Sequence, residues 1–144
     1  MDGGNCEFCA GAGGTLLWEC AACRVVLVDD ADYPGFCRVV WNDHVREMTD
    51  LDPGERISLM NVVFAVEKVV RALFAPHKMN LASLGNMTPH VHWHVIPRWR
   101  DDRHFPGPIW GSPQRDTLPP RPVVSIDALR EALCKQLQPD EHQG

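Results

Sequence analysis

His90-Val91-His92-Trp93-His94-Val95-Ile96-Pro97-Arg98 alternates three histidines with apolar residues and closes on Ile-Pro-Arg. In an extended strand successive side chains point to opposite faces, so His90, His92 and His94 share one face and Val91, Trp93 and Val95 turn toward a core. A helix would rotate the same histidines about 200° at each i, i+2 step and scatter them. Three imidazoles on one rigid edge can bind a metal, bind an anion, or supply a nucleophile with its helpers. A purely structural role is disfavoured, because it would need partners for up to six buried ring nitrogens.

Upstream, Met79 to Leu84 alternates imperfectly, as a half-buried strand does, and Gly85-Asn86-Met87-Thr88-Pro89 turns the chain back into the histidine strand. Asn80 and Ser83 are therefore expected near the histidines. Asp52-Pro53-Gly54-Glu55 is a helix start, with Asp as N-cap, Pro at N1 and Glu at N3. That helix should run to about Ala75, before Pro76. Ile57, Met60, Val63, Phe64, Val66, Val70 and Leu73 form its expected apolar stripe. Arg24–Asp29 and Phe36–Trp41 read as an antiparallel pair joined by a turn at Pro34-Gly35, and Val45–Leu51 as a short helix or turn. Residues 99–122 hold six prolines among basic and aromatic residues and read as an ordered, irregular arm. Ser125 caps a final helix over Ile126–Leu137, with Ile126, Leu129, Leu133 and Leu137 on one side. The lone histidines His77, His104 and His142 read as surface residues.

The chain has 144 residues and is 44% hydrophobic, enough for one domain with a proper core: about residues 6–98, then the arm and last helix over 99–144. Its formal net charge is -5 with no Lys/Arg stripe, which argues against a nucleic-acid polymer as partner. A small anion remains compatible with a local His/Arg cluster. No apolar run approaches the ~20 residues that span a membrane, and the N-terminus lacks the basic and apolar regions of a signal peptide. A cytoplasmic location is expected, where the six cysteines serve as thiols or metal ligands rather than disulfides. Cys6-x-x-Cys9 has zinc-knuckle spacing. Cys20-x-x-Cys23 could complete a four-cysteine site, but only ten residues separate Cys9 from Cys20, against about 15–20 in zinc ribbons. Cys20 and Cys23 therefore read as small hydrophobes near a strand start.

The run His90-x-His92-x-His94-Val95-Ile96, with Asn80 and Gly85-Asn86 before it and Pro97-Arg98 after it, resembles the signature of the histidine triad (HIT) superfamily of nucleotide hydrolases and nucleotidyl transferases. The resemblance covers about Cys6 to Arg98. It implies an α+β, HIT-like fold: an antiparallel sheet of about five strands, one long helix packed on it, and a C-terminal helix. It also implies a homodimer, and attack on a nucleoside α-phosphate by His92 through a nucleotidyl-histidine intermediate. His94 would assist at the phosphate or leaving-group oxygen, a carbonyl near His90 would orient His92, and Asn80 and Asn86 would make polar contacts. Dinucleoside polyphosphates and nucleoside phosphoramidates are the implied substrates. The zinc-containing branches imply a structural zinc on Cys6, Cys9, His44 and His90, not needed for the chemistry. Asp29 or Asp30 falls near the family's ribose-binding acid, and C-terminal tails in the family can reach the active site.

Two positions depart from the family pattern: Phe36 stands where a fourth histidine is common, and Met87 where Ser or Thr is usual. Three other readings remain: a nucleotide-binding protein of this type with little turnover, a three-histidine catalytic metal site, and a zinc-dependent binding module built on the cysteine pairs.

Overall fold

Short runs of valine with polar ends fold into strands, and the one long apolar-periodic segment folds into a helix that covers them. The computed structural model describes residues 6–138. His142 lies outside the described residues. In chain order the elements are α1 (Glu7–Ala10), β1 (Thr15–Glu19), β2 (Cys23–Leu27), β3 (Cys37–Trp41), α2 (Pro53–Phe74), β4 (Lys78–Ala82), β5 (His92–Arg98) and α3 (Ile126–Gln136). The five strands form one antiparallel sheet in the order β1-β2-β3-β5-β4. Between β3 and α2, Met48–Asp50 makes a single 3-10 turn.

The α2 boundaries follow from their caps. Asp52 accepts the Glu55 amide and Glu55 reaches back to the Asp52 amide, a reciprocal capping box with Pro53 at the first helical position. Ala75 adopts φ 49° and ends the helix before Pro76. In α3, the Ser125 hydroxyl accepts the Ala128 amide. Helices α2 and α3 cover one face of the sheet. Leu59, Val63, Val66 and Val70 of α2 and Leu129 and Leu133 of α3 pack there against Val25, Val39, Val91 and Val95.

The expected stripe of α2 is rotated. Ile57 and Phe64 are 62% and 52% exposed, while Leu59, Val62, Val69 and Phe74 take the core positions. This helix is apolar over more than half of its circumference, so periodicity alone leaves the phase of the buried stripe open. At the start of α3, Ile126 is 40% exposed, while Leu129 and Leu133 are buried.

The opposite face of the sheet carries the polar rows. Cross-strand register places Val40 beside His92, and Val26, Arg38, His94 and Ala82 in one row; Asn80 pairs with Ile96 one row further on. Over this face lie α1 from one side and the arm from the other.

Candidate active site

His92 and His94 lie on the strand face away from α2, with ring centroids 4.9 Å apart and both residues 6% exposed. Val91 and Val95 are buried on the helix side and Trp93 packs partly there, the alternation an extended strand requires. The His92 Nδ1–H donates to the His90 carbonyl at 2.6 Å, which leaves the lone pair on Nε2. Ser83 lies close by, its hydroxyl donating to the His92 carbonyl at 2.7 Å. His94 Nδ1 is enclosed and has no hydrogen-bond partner. Burial pushes His94 down to about 4, helped by His92 and Arg38. Burial also lowers His92, more than the bond to the His90 carbonyl raises it, and Arg38 adds to the lowering. Both rings are therefore neutral at pH 7.

His90 sits just before the regular strand and serves a different cluster. Its Nε2–H donates to the Trp41 carbonyl, so Nδ1 presents a lone pair. That nitrogen lies 3.3 Å from Cys6 Sγ, 3.5 Å from Cys9 Sγ and 3.3 Å from His44 Nδ1. Cys9 Sγ is 3.3 Å from His44 Nδ1, and all four donor atoms fall within 4.8 Å of one another. A tetrahedral zinc with bonds of about 2.0 Å to nitrogen and 2.3 Å to sulfur has N···N edges of about 3.3 Å and N···S edges of about 3.5 Å. The donor set fits that ion in type, number and spacing, and the bond to the Trp41 carbonyl is the outer hydrogen bond a metal-ligating histidine needs. Cys20 and Cys23 take no part. Their sulfurs lie 3.9 Å apart, with Cys23 buried at the start of β2.

Arg24 locks the knuckle onto the sheet. Its guanidinium donates to the carbonyls of Phe8, Gly11 and Ala12 and to Asn42 Oδ1, at 2.6 to 3.1 Å. This seats Phe8 with its ring 4.7 Å from that of His92 and 5.8 Å from that of His90. Gly13, at φ +91°, passes so close that a Cβ there would lie 2.6 Å from the Phe8 ring. Only glycine suits that position.

From the other side the arm brings Trp110 edge-on to His94, with centroids 4.9 Å apart and the indole 52% exposed. The arm is held at its root by Asp102. That carboxylate accepts Arg98 Nε at 2.7 Å and the amides of Trp99, His104 and Phe105, and takes the Tyr33 hydroxyl at 3.2 Å. Burial alone would raise Asp102, but the bonds from Arg98 and from the Trp99 and Phe105 amides outweigh it and bring it down to about 2. His104 belongs to this hub through the Tyr33 hydroxyl at 2.6 Å, and is half-buried rather than a free surface residue.

The other expected contacts are spread out. Asn80 shares the histidine face, but its Oδ1 accepts Arg98 Nη1 at 2.7 Å. Asn86 is exposed in the turn before the triad, and Met87 beside it is 95% exposed. Phe36 is buried, its ring 5.8 Å from His94. Asp29 and Asp30 line a cavity of about 730 Å³ between the β2–β3 turn, the arm and α3, and no triad histidine lines it. Phe8, Arg24, Arg38 and Trp110 were not singled out from sequence. Arg38 left one signal, a lone cation in the otherwise apolar run Phe36–Trp41.

Comparison with known proteins places this geometry. Residues 13–101 match the HIT domain. The chain is 35% identical over 85 residues to an AP-4-A phosphorylase of Mycobacterium tuberculosis, a match covering 55% of this chain and 44% of the relative. It is 32% identical over 74 residues to an asymmetrical bis(5'-nucleosyl)-tetraphosphatase of Schizosaccharomyces pombe, covering 48% and 41%. The chain thus spans less than half the length of these curated relatives. A histidine triad protein of Marinobacter aquaeolei superposes with a TM-score of 0.65 at 32% identity, over 92% of this chain and 90% of that one. One from Bradyrhizobium japonicum does so with a TM-score of 0.69 at 25% identity, over 88% and 92%. By the matched domain, the shared fold and the histidine strand, the chain belongs to the HIT family.

Proposed function

We propose that this protein is a nucleotide hydrolase or nucleotidyl transferase that cleaves at the α-phosphate through a nucleotidyl-histidine intermediate on His92. The observation that carries the reading is the His92 ring itself: neutral, fixed by the His90 carbonyl, with its Nε2 lone pair free beside His94. Such an imidazole is a competent nucleophile at pH 7 without a separate base. Nε2 attacks the α-phosphorus and a P–N bond forms; the bond that breaks is P–O to the departing phosphate of a dinucleoside polyphosphate, or P–N to the departing amine of a phosphoramidate. His94, whose Nδ1 is enclosed, meets the leaving-group oxygen with Nε2–H as negative charge gathers there. Water or a second phosphate then attacks phosphorus and the P–N bond breaks. With water as acceptor, its proton passes to solvent and a nucleoside monophosphate is released.

Dinucleoside polyphosphates are the first substrate class to test, because two relatives carry names of enzymes for dinucleoside tetraphosphates. Nucleoside phosphoramidates are the second. A panel of both classes, run on the wild type and on His92→Asn, tests the reading. A wild-type protein inert on both, with no labelling of His92, would refute it.

Cys6, Cys9, His44 and His90 are proposed to hold a structural zinc. Zinc there supplies cohesion, pinning α1 and its Phe8 to the catalytic strand. Protein purified without added metal is expected to contain close to one equivalent of zinc per chain. Cys9→Ser is expected to lower that content at least tenfold and to lower Tm. Less than a tenth of an equivalent in the wild type would rule the site out.

We further propose a homodimer, for which the exposed Ile57 and Phe64, seven residues apart on α2, offer one apolar face. Sedimentation is expected to give twice the 16.2 kDa chain mass. Phe64→Glu is expected to shift the protein toward monomer. A wild type that sediments as a monomer at micromolar concentration would remove the proposal. Among the described residues no helix is long and apolar enough to cross a membrane.

A further inference from the structure

The histidine face of the sheet carries a cation beside the two rings. Arg38 projects from β3 directly across from His94 in the register of the sheet, and one place along the same face Val40 lies across from His92. Its guanidinium carbon is 5.7 Å from the centroid of the Phe8 ring and 6.0 Å from that of Phe36. Those two rings in turn lie 4.7 Å from His92 and 5.8 Å from His94. The cation is therefore enclosed by the same aromatic walls that enclose the two histidines.

Its hydrogen bonds are far from complete. Nη1 donates to the Gly13 carbonyl at 3.0 Å, while Nε is buried with no partner. Among the described residues no aspartate or glutamate lies within ion-pair distance of Arg38, although Arg98, Arg103 and Arg121 each have one. A half-buried guanidinium with five N–H donors and no carboxylate is costly unless an anion completes it.

We propose that Arg38 binds the non-bridging oxygens of the α-phosphate and is a further catalytic residue of this site. The inference rests on the reading of His92 as nucleophile. It supplies from β3 the polar contacts that Phe36 and Met87 cannot make. As phosphorus becomes five-coordinate, charge grows on its equatorial oxygens. A planar, permanently charged fork fixed beside the histidines meets that charge with little reorganisation. Phe8 and Phe36 keep the guanidinium in place without neutralising it, as aromatic faces do for arginine.

The test compares AMP with adenosine, because they share base and ribose and differ in the phosphate. In wild-type protein AMP is expected to bind at least tenfold more tightly than adenosine by calorimetry. Arg38→Gln is expected to erase that preference while leaving adenosine affinity within threefold, and to slow turnover of a nucleoside phosphoramidate by about 100- to 1,000-fold. Arg38→Lys keeps the charge without the fork and is expected to recover most of the AMP preference but less of the rate. If Arg38→Gln does not fold, Arg38→Lys still decides: a lysine variant that is folded yet shows no preference for AMP overturns the role.

An Arg38→Gln protein that keeps the preference, or loses AMP and adenosine affinity equally, also overturns it and leaves Arg38 as a strut for Gly13. Failure of the His92 reading appears elsewhere, as a wild type that never acquires a nucleotidyl adduct whatever its binding preference.

Discussion

His92→Asn is expected to reduce turnover by at least about 10,000-fold while nucleotide affinity stays within threefold. The asymmetry follows from what the substitution removes. Asparagine can still donate a side-chain N–H toward the His90 carbonyl that Nδ1 now engages at 2.6 Å, so the local fold has a substitute bond. It has no atom equivalent to Nε2, so no P–N bond can form. Loss of a covalent nucleophile removes a transition-state interaction without a ground-state counterpart, and the loss appears in kcat. Rapid quench of wild type with a dinucleoside tetraphosphate in alkaline denaturant, which preserves the acid-labile P–N bond, followed by mass analysis at neutral to alkaline pH of the peptide carrying residues 90–98, is expected to show a nucleotidyl increment on His92. Retention of more than a hundredth of the wild-type rate by His92→Asn would sink the assignment.

That experiment also separates the remaining readings. A catalytic metal held by all three histidines needs three converging nitrogens. Here His90 turns its free nitrogen to Cys6, Cys9 and His44, and these four form the one metal-ligand group found among the described residues. Chelator-sensitive turnover surviving in His92→Asn would restore that rival. A nucleotide binder with little turnover would bind AMP normally and give no adduct.

The parts of the fold legible in the sequence are those set by local chemistry. The alternation from Val91 to Val95 dictates a two-faced strand, and Asp52, Pro53 and Glu55 dictate a helix start; both stand as read. The four residues that could hold a metal, Cys6, Cys9, His44 and His90, are spread over 85 positions, yet the resemblance to the family named them as one group and the structure brings their donor atoms together. What periodicity could not supply was phase. On α2, apolar residues nearly surround the helix, so Ile57 and Phe64 read as core until the sheet shows which side it covers. Arg38 was hidden for a different reason, because its place beside His94 depends on strand pairing; Asn80 was expected near the histidines, but its partner Arg98 was not legible. The arm is the extreme case, since no period or cap relates Trp110 to His94, and the two meet only because a buried carboxylate at its root turns the chain back.

That carboxylate supplies the largest stability effect expected in the molecule. Asp102 is 0% exposed and receives Arg98, whose side chain is only 3% exposed, together with three backbone amides and the Tyr33 hydroxyl. Asp102→Asn keeps the shape but leaves the Arg98 cation buried without its counter-charge, a change that typically costs about 3–5 kcal/mol. For a chain of this size that corresponds to a fall in Tm of about 10 °C or more. Because the hub anchors the arm, tryptic cleavage after Arg103 and Arg115 should also accelerate. Adding Arg98→Met to the variant removes the stranded charge and is expected to restore part of the lost stability, a coupling that a simple packing defect would not show.

The pH dependence has a definite sign. The folded carboxyl titrates at about 2, below its ordinary value of 3.8, so its contribution is complete above that ordinary value and fades as pH falls toward 2. Thermal denaturation of wild type and Asp102→Asn should therefore differ most above pH 5 and converge between pH 4 and 2. A gap that stays constant through that range would mean that the ionised Asp102–Arg98 pair is not what holds the arm in place.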